Sequence, residues 1–319
     1  MLFLTQNQQV AFVFSIISTI ENIFACLISL IILTIIVSKF FYKQVKYEDK
    51  SILVLCVNVY LCAFVCELIF CSYDAQSILG DIYQINFNSL RCVLTAYAYC
   101  GFIFNLLISL VNQAFYRLCR IVYPQYRWLQ SPSFYVILPP IQLILAFVLL
   151  CPTYIWQDII YLPEDHFCFI PLSRIRSFLW LFFVAYGIPV LLLSFLYFRI
   201  ILFLRKQTKN QTFVVRRQQN RDFVAIQRIL IIVGILLLLG MPAAIFLIMM
   251  FITGKEHPLT PRFLLFSVGL SVLVLNVAIV FSVVQLKNII WKTFKSNVIV
   301  PLIFSIDGTD PQRNNNSIR

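Results

Sequence analysis

The sequence predicts an all-α membrane protein, a bundle of seven transmembrane helices. Of its 319 residues, 61% are hydrophobic and only 12% are charged, whereas a soluble domain carries about a quarter charged residues. Seven apolar stretches of membrane-crossing length alternate with short polar loops. Inside them, runs such as 27–37 and 229–239 are continuously apolar and lack the in–out alternation of a barrel strand. Helices and closed barrels are the only structures that satisfy every backbone group in hydrocarbon.

In chain order the spans are expected at 10–37, 51–71, 90–121, 134–154, 178–204, 224–252 and 262–286. Several exceed the roughly 20 residues a bilayer requires, which implies tilt or extension into water. The division that follows is a short N-terminus, 1–9, one membrane domain, 10–295, and a polar, Asn-rich tail, 296–319. Residues 1–9 carry no basic segment, and the first apolar run is too long for the core of a cleavable signal, so the first helix is expected to serve as its own targeting signal.

The net charge of +12 is unevenly placed. Lys39, Lys43, Lys46 and Lys50 follow span one, and Arg117, Arg120 and Arg127 close span three. Arg199, Arg205, Lys206, Lys209, Arg216, Arg217, Arg221 and Arg228 lie at and between the facing ends of spans five and six, and Lys287, Lys292 and Lys295 follow span seven. The opposite side has an uncharged N-terminus, a loop with Asp74 and Asp81, and a loop with Asp158, Glu164 and Asp165. The positive-inside rule then puts the N-terminus outside and the C-terminus inside, the parity that seven spans also require. Anionic inner-leaflet lipid and a cytoplasmic partner account for the basic charge; no nucleic-acid role is expected. Mid-span positions read as nearly free of acid and base.

Most of the ten cysteines fall within spans and read as buried small hydrophobes. Cys92, opening span three, and Cys168, in the acidic loop after span four, both face the oxidising side, where a disulfide is compatible with the chemistry. It would close a loop of 76 residues, worth on the order of 4 kcal/mol by chain entropy. No zinc-type Cys/His spacing occurs, and no metal or cofactor is expected.

Arg117 stands where span three reaches the cytoplasmic side. A fixed charge there needs a water-filled cavity or a carboxylate, so the position reads as functional. It follows Cys92 by 25 residues, roughly 37 Å of helix and enough to cross the bilayer core. With Ile121, Val122, Tyr123 and Pro124 behind it, this segment resembles span three of a rhodopsin-like (family A) G-protein-coupled receptor. The resemblance covers roughly residues 10–295.

The resemblance implies a disulfide between Cys92 and Cys168 and assigns Arg117 to the coupling switch. The family's acid before the arginine is Tyr116 here, and its following tyrosine is Leu118. Pro189 and Tyr197, eight residues on, match the pair that bends span five and places a phenol near the arginine. Pro242 matches the bend of span six, although Gly240 stands where a tryptophan is usual. Asp222, twenty residues before that proline, matches the acid that locks the arginine to span six. Asn276 survives from the Asn-Pro-x-x-Tyr motif, whose proline and tyrosine are Val277 and Val280. Asn58 aligns with the span-two aspartate, which implies an uncharged mid-membrane site and weak sodium modulation. Residues 287–294 resemble a short amphipathic helix on the inner face, with Ile289, Ile290 and Phe294 toward lipid.

The implied function is a plasma-membrane receptor that binds an extracellular ligand and promotes nucleotide exchange on a heterotrimeric G protein; it is not an enzyme. Tyr99 replaces the aspartate used by amine receptors, and span seven has no lysine for a retinal Schiff base. The ligand is therefore expected to be a non-amine, a peptide or a chemosensory molecule, in a pocket lined by Tyr97, Tyr99 and Trp180. Two other readings stay open: a seven-helix receptor-like protein that signals without a G protein, and a transporter. The transporter would call for internal repeats and broken helices, which the sequence lacks.

Overall fold

A computed structural model describes residues 6–42, 47–207, 234, 240–241, 244–254, 258–283, 286–287 and 289–291. Its long helices are α1 (Gln6–Phe41), α2 (Tyr47–Tyr83), α3 (Leu90–Val122) and α4 (Pro132–Ile155). A hairpin of β1 (Ile160–Leu162) and β2 (Phe167–Phe169) follows. Then come α5 (Ile175–Leu181), a π-helical turn (Phe182–Gly187), α6 (Ile188–Gln207), a short apolar helix α7 (Ala244–Thr253), and α8 (Thr260–Ser282). The segment from α5 through α6 is one membrane-length rod, so six helices among the described residues are long and apolar enough to cross a membrane. The protein is a multi-pass helical membrane bundle. Asp222 and Pro242, and most of the expected sixth span, lie outside the described residues.

α1 shows how a helix that is apolar all round chooses its buried face. Ala11, Ser15, Ser18, Asn22, Ala25, Ser29, Ile32 and Ile36 are all buried, a run with alternating steps of three and four. Between them Phe24, Leu27 and Ile31 are exposed on the outer surface. Hydrocarbon does not drive apolar helices together, so close approach at small residues and interhelical hydrogen bonds select the interface. This stripe packs α1 against α2 and α8.

α2 runs well past the expected end of its span. Asp74 and Asp81, expected in a loop, are helical, and both are inside the bundle. With Glu67 they form a row at seven-residue intervals, two helical turns apart, which puts all three on one face. Hydropathy ended the span at 71 because the polar residues after it lower the local average; their partners lie on α1 and α8. The expectation of few mid-span acids is thus overturned: Glu67 is fully buried, and Asn22 Nδ2 donates to Asp74 at 2.9 Å.

At the hairpin end of the bundle, the Arg262 guanidinium is itself buried. Nη1 and Nη2 donate to the two Asp81 carboxylate oxygens at 2.6 and 2.9 Å, and Nε donates to Asp165 Oδ1 at 2.9 Å. Nη2 also donates to the Glu164 carbonyl at 3.0 Å, and Ser77 Oγ donates to the Asp165 carbonyl at 2.8 Å. One side chain of α8 therefore holds α2 and the hairpin turn together. His166 completes the group, 3.7 Å from Asp81 and 3.4 Å from the Tyr161 hydroxyl. Its ring lies in the space that any Cβ at Gly80 would need.

Two carboxylates share one guanidinium here, and Asp81 takes the bidentate pair. Burial pushes the Asp165 carboxyl up to about 6 in spite of Arg262, with Glu164 and Asp81 adding repulsion. Burial also holds the His166 imidazole below its ordinary range, against the pull of Asp81.

Arg262→Ala strands two buried carboxylates and should cost roughly 3–5 kcal/mol, read as a large fall in the melting temperature of the solubilised protein. Asp165 behaves differently. Because its folded pKa lies above the unfolded one, its contribution is full below the unfolded pKa and is lost as pH rises through about 6. Asp165→Asn should therefore melt with the wild type near about pH 3.5 and above it near about pH 7.5, since Arg262 keeps Asp81.

Candidate functional site

α3 carries the site at both of its ends. Ser89 caps it, accepting from the Cys92 amide, and places the Cys92 thiol beside β2. The sulfurs of Cys92 and Cys168 are 2.04 Å apart and bonded. Antiparallel register pairs Cys168 with Tyr161 and flanks it with Phe167 and Phe169. The bond holds the hairpin over the bundle. Asp158, buried before β1, accepts from Ser177 on α5 and faces Arg174 and Arg176, which fixes the other end of this connection.

At the far end of α3 Arg117 is half-buried, and its Nη1 is buried with no hydrogen-bond partner among the described residues. It lies close enough to Tyr197 on α6 and Cys56 on α2 to act on both electrostatically. Tyr197 is 1% exposed, so its phenol points into the bundle rather than into lipid. Tyr116, next to the arginine, is buried on another side of α3, with its ring edge-on to Tyr135 of α4 at 5.2 Å. Asp222, the expected lock for Arg117, lies outside the described residues.

Between α3, the π turn and α8 is a cavity of about 170 Å³. α3 contributes Tyr99, Cys100, Ile103, Leu106 and Leu107; α8 contributes Leu264, Ser267, Val268, Ser271, Val272 and Leu275. Phe169 of the hairpin, Phe178 and Leu181 of α5, and Phe182, Ala185 and Tyr186 of the π turn complete the described wall, together with Gly240. The π turn sits immediately before Pro189. Proline has no N–H to donate, and a wider turn is one way a helix absorbs that loss; the Ile188 amide here donates five residues back, to Phe183. The wider turn carries Tyr186 toward Gly240, where an added Cβ would meet the Tyr186 hydroxyl. Thus the space beside Gly240 holds a phenol from the π turn.

Of the three aromatic residues expected to line the pocket, only Tyr99 does so. Its ring meets Phe70 at 5.1 Å, Tyr73 at 6.0 Å and Phe169 at 6.1 Å, an aromatic roof over the cavity. Tyr97 lies two residues away, on roughly the opposite side of the helix. It faces α4, and its hydroxyl donates to the Phe147 carbonyl at 2.6 Å. Trp180 is 36% exposed, and its indole donates to the Leu149 carbonyl at 3.0 Å. Both are corrected to packing positions against α4.

Asn58 is also corrected. It donates to Ser109 of α3 at 2.7 Å. The acid facing Asn276 is Glu67, which accepts from Asn276 Nδ2 at 2.6 Å and from Ser29 Oγ at 2.9 Å. Asn276 also donates to Ser29 at 2.9 Å, and its carbonyl accepts from Tyr60 at 2.8 Å. The middle of the membrane therefore contains a carboxylate after all, supplied nine residues later on α2 than expected. The signal available in the sequence was the seven-residue row Glu67, Asp74, Asp81. Beyond α8, Ile289 and Ile290 pack against the core rather than turning to lipid, while Trp291 is exposed.

The architecture suits binding and conformational change. Among the described residues no group of three His, Cys, Asp or Glu side chains could hold a metal ion. No curated protein matches the chain. A family model described as 7 transmembrane receptor (rhodopsin family) matches residues 76–279, well over half of its length. The chain belongs to the rhodopsin family of seven-transmembrane receptors.

Proposed function

We propose that the chain is a plasma-membrane receptor of seven spans, N-terminus outside and C-terminus inside, that converts ligand binding at the hairpin end into nucleotide exchange on a heterotrimeric G protein at the Arg117 end. The carrying observation is α3 itself: Cys92 bonded to the hairpin at one end, and a half-buried Arg117, within electrostatic reach of the buried Tyr197, one membrane depth below. The positive-inside charge pattern supports this orientation. In the resting state Arg117 is held by Asp222. A ligand that binds the active arrangement better shifts the population toward it. Span six then moves out, Arg117 turns to Tyr197, and a groove opens for a partner helix.

Tyr186 is the contact that carries the cavity's occupancy to span six. Its hydroxyl rests against Gly240, and its ring stacks at a tilt on Phe182, 5.7 Å away. A ligand pressing on this aromatic pair displaces a side chain already seated on span six. The departures at Gly240, Val277 and Val280 favour, as a second reading, a receptor-like protein that signals without a G protein.

Exchange on a panel of purified Gα subunits separates the two. The wild type should accelerate it and Arg117→Ala should not; a wild type inert across the panel favours the second reading. Asp222→Ala should raise basal exchange, up to about tenfold if the lock is worth roughly 1.4 kcal/mol; unchanged or lower exchange contradicts the lock.

Gly240→Ala forces Tyr186 aside and should change basal exchange. Adding Tyr186→Leu should return it toward the wild-type level, because the two effects share one contact. Simple additivity would remove Tyr186 from the pathway.

A further inference from the structure

The cavity is unlike the other polar features of this bundle. Every buried carboxylate described above, and Arg262, lies in the α1–α2–α8 seam or at the hairpin, and none lines the cavity. Gly240, the lining residue from the sixth span among the described residues, adds no charge either. The polar groups on the described wall are few, the hydroxyls of Tyr99, Tyr186, Ser267 and Ser271 and the Cys100 thiol; Ser267 already donates to the Phe263 carbonyl at 2.9 Å, and Ser271 to the Ser267 carbonyl at 2.8 Å. What the serines still offer is acceptor capacity alone.

Three ligand classes can be weighed on this lining. An ammonium group would be buried without a counter-charge, the costliest case. A peptide would bring amide groups that find few partners, each left unsatisfied at a penalty. A hydrocarbon-rich neutral molecule meets neither penalty and gains with the apolar surface it removes from water. The cavity volume, about 170 Å³, is close to the roughly 150 Å³ apolar cavity that takes up benzene. The occupant is therefore on the order of ten heavy atoms.

We propose that the ligand of this cavity is a small, uncharged, predominantly apolar molecule with at most one weak polar group. A single hydroxyl can donate to Ser267 or Ser271; an aldehyde, ketone or ester gains less there. Aromatic roof and apolar floor select by shape. The inference rests on the receptor reading for its meaning, but its chemistry belongs to the cavity alone.

The test is direct binding to the full-length protein in nanodiscs, read as a melting-temperature shift that saturates with concentration. The probes are small neutral alcohols, ketones, esters and monoterpenes, set against primary amines and short peptides of similar size. Neutral members of the panel should shift the melting temperature saturably, and amines and peptides should not. Ser271→Leu and, separately, Ala185→Leu fill the cavity from opposite walls; each folded variant should lose affinity for the neutral probes at least about tenfold. Saturable binding of an amine or peptide that is lost in the filled variants would overturn the proposal. So would neutral binding that survives both fillings, or a neutral panel without any saturable member. Exchange assays on the same samples keep the two readings apart. Binding of a neutral probe without exchange on any Gα sinks the G-protein reading and leaves the ligand class standing; exchange driven by a charged ligand does the reverse.

Discussion

Inside a bilayer a charged or amide side chain has no water to turn to, and this constraint organises the whole bundle. The seam where α1, α2 and α8 meet holds Glu67, Asp74 and Asp81 at successive levels, each met by donors from a neighbouring helix. Removing any one donor strands a buried acceptor, so the three helices share a single fixed register. Arg262 extends that register to the hairpin. The disulfide then ties the hairpin to α3. One half of the molecule is thus cross-braced by polar contacts from the hairpin end to mid-membrane.

The other half is built differently. Around the cavity, α3, the π turn and α8 meet through apolar and aromatic surfaces, whose contacts are many, weak and non-directional. Such surfaces can repack at small cost, whereas a bidentate guanidinium–carboxylate pair cannot slide. A rigid frame on one side and an adjustable wall on the other is the arrangement a ligand-driven switch requires. Under the proposed function it also separates the tasks: the frame positions Cys92 and Arg117 at the two ends of α3, and the wall responds to what occupies the cavity.

Much of this was legible in the sequence, for identifiable reasons. Apolar runs mark spans because only hydrocarbon tolerates them, and the 25-residue interval from Cys92 to Arg117 measures a membrane. The disulfide partners stood out by their place at the oxidising side. Hydropathy failed where polarity serves packing: it ended α2 before Asp74 and Asp81, although their seven-residue spacing from Glu67 marks a helical face. Alignment failed at Asn58, since an asparagine in the expected region says nothing of which neighbour it meets. Tyr97 and Tyr99 are chemically alike, and only the helical turn between them decides which one sees the cavity. Trp180 invited a binding role by size, yet its indole had a carbonyl of α4 within reach. The space at Gly240 was visible as a loss; that Tyr186 fills it required the three-dimensional path of the π turn.

Under the proposed mechanism, the end of the bundle bearing Arg117 opens between span three and span six when a G protein engages. Spin labels on non-natural side chains at positions 120 and 228, with distances measured in nanodiscs by pulsed electron resonance, address it most directly. With a peptide matching the C-terminus of a Gα subunit bound, the account expects a longer-distance population absent from the free receptor. A distance distribution unchanged while the peptide is demonstrably bound would contradict it.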